Sequence, residues 1–216
     1  MAVEIPLFPL AVVLFPHMPL PLRIFEDRYK TMMRDCENDG ITFGVVAIKE
    51  GVEAFGPARP HDVGTLAQLR KVEQLPDGGY ELLVVGASRF RVLSTSTARP
   101  YLVGEVEYLE DRSGEQASMG RLAPRVREAF RDYADRLRDL AKRPRADLDL
   151  PDDPELLSYL VAATLQVEVA RKQALLEVDS AEARLRGCLA LLRREAVLLE
   201  RMLARRDSPT GSISPN

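Results

Sequence analysis

The hydrophobic period of this chain changes for good near residue 115, and that change limits what it can fold into. Ahead of it, "YLVGEVEYLE" (101–110) alternates apolar and acidic residues, the period of two that marks a half-exposed strand. Behind it, Leu122, Val126, Phe130, Tyr133, Leu137 and Leu140 step by four, four, three, four and three, the spacing of an amphipathic helix. Strands gathered in one half and helices in the other define an α+β protein with two segregated parts.

The first part opens with "EIPLFPL" and "AVVLFPHMPLPLRI", apolar runs punctuated by proline. Proline cannot donate to a β ladder, so these runs suit an edge strand, a bulge or a turn. They do not suit a secretion signal, because Glu4 sits near the start, prolines interrupt the run and Arg23 follows it. In "FEDRYKTMMRDCENDG" the pattern turns helical for one element: Phe25, Tyr29, Met32 or Met33, and Cys36 share a face, and Gly40 is placed to cap it. "ITFGVVAIK" reads as a buried strand, and 51–62 as a loop. "PDGG" (76–79) is turn chemistry between two further strands. Several short strands with one inserted helix predict a small, mostly antiparallel β-barrel over 1–112.

The second part, 119–206, reads as a helical bundle. "KRPRADLDLPDDP" breaks it, and Asp153 before Pro154 has the form of an N-cap with proline at the first helical position. Asp179 with Glu182 resembles a capping box opening a long last helix. On that helix Leu185, Leu189, Leu192, Ala196, Leu199 and Leu203 form one stripe, which packs within the bundle or serves self-association across a partner helix. The polar segment 207–216 is expected to be disordered.

Charge and chemistry narrow the function. Residues 1–118 carry 12 Lys and Arg against 17 Asp and Glu, so the strand half is acidic. Binding to a phosphate backbone wants a basic face, which makes nucleic acid an unlikely partner. Arginine outnumbers lysine 25 to 5, but those arginines alternate with acids on helices, as on a solvated face. No run approaches the roughly 20 apolar residues of a membrane span. Cys36 and Cys188, far apart in helix-like sequence, read as reduced and buried, which points to a cytoplasmic protein. No P-loop, GxGxxG or GxSxG is present, and His17 and His61 lack the companions of a metal site. Neither catalytic residues, nor a metal, nor a cofactor is expected; the chain reads as a protein that binds.

Three segments carry a family resemblance: "IPLFPLAVVLFPHMPLPLRIFEDRYKTMM", "VGTLAQLRKVEQLPDGGYELLVVGASRFRV" and "PYLVGEVEYLED". With "LLSYLVAATLQVEVARKQALLEVDSAEARLRGCLALLRRE" they resemble the N-terminal substrate-binding domain of the Lon ATP-dependent proteases. The resemblance implies a PUA-like barrel followed by a helical bundle, standing alone without the ATPase and peptidase parts. It implies a non-catalytic module for unfolded or degron-bearing polypeptides, acting as adaptor, holder or regulator of proteolysis, with a protease or chaperone as a further partner. The alternative is RNA binding, since PUA-like barrels elsewhere bind RNA. For a polypeptide surface the candidates are Met18, Ile24, Phe25, Arg28, Met32 and Met33, adaptable apolar groups with a cation beside them.

Overall fold

Strand-forming and helix-forming sequence separate in space as they do along the chain. The computed structural model describes residues 2–40, 42–50, 59–112 and 114–207. Its strands are β1 (Val3–Leu10), β2 (Pro19–Ile24), β3 (Phe43–Glu50), β4 (Arg59–Gln74), β5 (Tyr80–Ser96) and β6 (Leu102–Leu109). One helix, α1 (Asp27–Asp39), interrupts them. The others, α2 (Gln116–Leu140), α3 (Pro154–Thr164), α4 (Val169–Glu177) and α5 (Ala181–Asp207), follow.

The strands pair in the order β2-β5-β4-β3-β1-β6, and β5 also pairs with β6. Five strands therefore have neighbours on both sides and the order returns on itself, with β2 attached to β5 alone. Every pairing is antiparallel except β1 with β3. The prolines of β1 are tolerated because that strand changes partners midway. Val3–Leu7 pairs with β6 and Leu7–Leu10 pairs with β3, so Pro6 and Pro9 each have one neighbour to satisfy. Pro19 and Pro21 lie on β2, which has an open edge.

Several local signals operate as read. Gly40 closes α1 with φ +65° and donates its N–H to the Cys36 carbonyl. The Asp153 side chain accepts the Leu156 N–H at 2.8 Å to start α3. Three readings are corrected. The loop placed over 51–62 ends earlier, because Arg59–Asp62 belongs to β4; residues 51–58 lie outside the described residues, as do 208–216 of the expected tail. The cap of α5 is Ser180, whose Oγ accepts the Ala183 N–H at 3.2 Å, not Asp179. Glu182 reaches instead to Ser118 (2.7 Å) and Arg186 (2.5 Å), which hold its carboxyl below the usual range. Phe25 precedes α1 and is exposed, while Tyr29, Met32, Met33 and Cys36 form the buried face.

The halves share a core. Phe15 and Val63 from the strand half sit in the cluster that holds Phe130, Tyr133, Leu157 and Leu192 of the helices. Beside them runs a buried polar seam. Arg89 of β5 donates Nη1 to the carbonyls of Leu176 (2.6 Å) and Val178 (2.7 Å), and Nη2 pairs with Asp111. Arg184 of α5 reaches the same carboxylate at 2.9 Å, along with Ser158 Oγ and the Leu175 carbonyl. Its guanidinium lies 3.8 Å from the Tyr159 ring centre, and the Tyr159 hydroxyl donates to Asp111 at 3.0 Å. Burial pushes that phenol well above its ordinary pKa.

Candidate functional site

Two large apolar residues in succession at the end of a strand cannot both face inward, because side chains alternate across the sheet. Ile24 and Phe25 stand at that point. Ile24 is buried, and Phe25 is left 67% exposed at the turn into α1. The turn is held locally. Glu26, at the N-cap position, accepts from Arg28 Nε at 2.8 Å, and Arg28 lies over the Tyr29 ring at 4.5 Å. Tyr29 in turn packs on Phe8 with ring centres 4.3 Å apart.

Beside Phe25 these residues enclose an apolar groove of about 290 Å³. Phe8, Leu10, Leu22, Ile24 and Tyr29 line it, with Arg23 and Glu26 at the rim. Its walls come from three elements: β1, β2 and the first turn of α1. A groove of that size and lining accepts a large aliphatic or aromatic side chain, with Phe25 as part of its lining.

The sequence candidates divide around this groove. Phe25 borders it directly. Arg28 stands next to it, paired with Glu26 and stacked on Tyr29. Ile24 contributes only a buried wall, and Met32 and Met33 are fully buried under α1, so these three are core residues and not a contact surface. Met18 is half-buried and packs on the helical cluster, away from the groove. Phe8, Leu10, Leu22 and Tyr29 were not among the candidates. The signal for Leu22 was the alternation of Leu20, Leu22 and Ile24 along β2. For Phe8 and Leu10 nothing local marked which face would meet α1.

The open edge of β2 does not offer a second route. Met18 accepts from the Gly86 N–H, and proline must sit where its missing N–H is not needed by β5. Pro19 and Pro21 therefore turn toward the free edge, which loses two of the donors an added strand would use.

Comparisons with known proteins converge on one assignment. A family profile described as the ATP-dependent protease La (LON) substrate-binding domain matches residues 4–194. Lon protease 2 of Myxococcus xanthus is 29% identical over 199 residues, 91% of this chain and 24% of that protein. Lon protease of Anaeromyxobacter dehalogenans is 30% identical over the same shares. The chain thus spans about a quarter of the length of these relatives. Among solved structures, a Lon N-terminal domain protein from Xanthomonas campestris superposes with a TM-score of 0.64 at 29% identity, covering 87% of this chain and 98% of that one. The N-terminal domain of a Mycobacterium avium complex Lon protease shares the fold with a TM-score of 0.63 at 17% identity, over 88% of this chain and 98% of that one.

Proposed function

The chain belongs to the Lon substrate-binding domain family, and from that premise we propose that it binds polypeptide segments through the groove beside Phe25 and catalyses no reaction itself. The observation that carries this is an exposed phenylalanine bordering an apolar groove whose floor is otherwise sealed into the core. Exposed apolar surface of this kind marks a contact site. Capture is by side chain, since the proline-lined edge of β2 resists strand addition.

In this reading the closed strand order is a PUA-like barrel, and the clients are unfolded or degron-bearing segments in the cytoplasm. The protein serves as adaptor, holder or regulator beside a separate protease or chaperone. The RNA-binding alternative gains no support from these relatives. Much of the arginine excess is also engaged in pairs, such as Arg136 with Asp132 and Glu200, and Arg145 with Asp135 and Asp139.

The test is titration of a fluorescent, permanently unfolded model polypeptide with the wild-type chain and with Phe25→Asp. Wild type should bind with Kd of about 50 μM or tighter. The variant should bind at least about tenfold more weakly at unchanged melting temperature, as truncation of an interface anchor does. Equal affinity of a folded Phe25→Asp protein, or no binding by wild type, would remove the groove from the function.

A further inference from the structure

A second cavity, of about 390 Å³, lies at the seam between the strand half and the helices. Three irregularities of the backbone converge on it. The register of β4 against β5 slips between Leu69 and Lys71, which leaves Arg70 as the extra residue of a bulge. It slips again where Thr65–Ala67 faces Gly86–Arg89, so that Ala87 and Ser88 oppose the single residue Leu66. His17 holds a left-handed φ of +65°. Arg70, Ala87, Ser88 and His17 all line the cavity. Bulges re-aim side chains and cluster beside functional sites, as do backbone positions off the common regions. Gly86 completes this wall, because a Cβ there would stand 2.1 Å from the Phe15 carbonyl oxygen.

The wall carries Arg70 and Arg89 with Asp111 and Glu155, and Arg184 is buried behind it against Asp111, so three cations stand with two carboxylates. Arg89 and Arg184 are both buried and share one carboxylate, Asp111, whose two oxygens are occupied by them and by the Tyr159 hydroxyl. Arg89 is 3% exposed and lines the cavity, and its Nε–H donates to no group among the described residues. Arg70 and Glu155 are exposed and line the cavity, and neither has an ion-pair partner among the described residues. A buried cation in excess of its counter-charges favours an anion beside it.

We propose that this cavity is an oxyanion site that takes a carboxylate or phosphate group, with Arg70 as its movable cation and the Arg89 Nε–H as its fixed donor. Glu155 opposes the ligand and weakens it. The site is separate from the groove and does not depend on it.

Calorimetric titration of the full chain tests this with inorganic phosphate and with one short acetylated peptide in free-acid and C-terminally amidated forms. Saturable binding at about millimolar Kd is expected for phosphate, for the free-acid peptide, or for both. Phosphate alone identifies a free anion as the ligand. Free-acid peptide without its amide identifies a chain terminus. Arg70→Ala should weaken either by about tenfold, the value of a charge-assisted hydrogen bond. Glu155→Gln, which removes only a repulsion, should tighten it a few-fold. Phe25→Asp should leave phosphate binding unchanged. No saturable uptake of either probe at about 20 mM, or a folded Arg70→Ala chain that binds as wild type, overturns the proposal.

Discussion

The groove at the β2–α1 turn and the seam between the halves are both built around tyrosine and arginine, yet they are opposite constructions. In the groove Arg28 covers Tyr29 from outside, and its partner Glu26 is two residues away. In the seam Arg184 covers Tyr159 from within, and its partner Asp111 is 73 residues away. The groove is a local turn that leaves one large apolar side chain in water. The seam gathers β5, the segment after β6, α3 and α5 around one carboxylate. The first arrangement should lose a residue at little cost to stability; the second should not.

Asp111→Ala is the sharpest way to break that contrast. It leaves Arg89 and Arg184 buried without a counter-ion, which costs about 3–5 kcal/mol when one partner of a buried pair is removed. Urea unfolding followed by circular dichroism should show the loss. Replacing Arg89, Asp111 and Arg184 together with apolar residues of similar size should recover most of it, because no charge then remains buried. An Asp111→Ala protein as stable as wild type would mean that the carbonyls alone hold the two arginines.

The same contrast explains what was legible in the sequence. Gly40 as a helix cap, the Asp153 cap and the core stripe of α5 are written in neighbours three or four residues apart, and each appears where the spacing put it. Phe25 reads as an adaptable apolar residue on the face of α1, and it is exposed for a different reason: it precedes the helix, next to the buried Ile24. Arg89, Asp111, Tyr159 and Arg184 are not legible, since each alone reads as an ordinary strand, junction or helix residue. Only the packing of the helical half beside the strand half brings them together. Met32 and Met33 failed as site candidates for a related reason: the helical period placed them on the right face of α1 but could not say that this face would be covered. The Asp179 cap failed by one residue because the helix begins one residue later, with Ser180 accepting the Ala183 N–H in place of Asp179 accepting that of Glu182.

Phe25 sharpens the comparison from the other side. Its substitution should change stability by less than about 0.5 kcal/mol, as for an exposed site, while costing at least about tenfold in polypeptide affinity. A large drop in melting temperature for Phe25→Ala would show that the groove is structural like the seam.

Tyr159→Phe probes the seam through pH. The hydroxyl gives up a hydrogen bond to Asp111, and the variant should be less stable than wild type by about 1 kcal/mol near pH 8. Burial raises the folded-state pKa above the ordinary phenol value of 10.0. The wild-type advantage is therefore whole below that value and declines as pH rises past it, because the unfolded chain ionises first. Phenylalanine has no such transition, so the gap between the two proteins should narrow from pH 10 upward. A gap of constant size at pH 8 and pH 11 would mean that Tyr159 is not held neutral by its surroundings.

The smallest effect belongs to Arg28→Ala. The Arg28–Glu26 pair is 2.7 Å long with both side chains about a third exposed, and such pairs contribute at most about 1 kcal/mol. Its stacking on Tyr29 adds a similar amount at a partly exposed site. The ion-pair share is screened by salt and the stacking share much less so. Unfolding free energies in low salt and in about 1 M salt should then differ for wild type by a few tenths of a kcal/mol more than for the variant. The cost of Asp111→Ala should change less between the two, because Arg89 and Arg184 are almost wholly buried and buried charges are screened less. If salt instead erased the Asp111 effect and spared that of Arg28, the assignment of one ion pair as exposed and the other as buried would have to be exchanged.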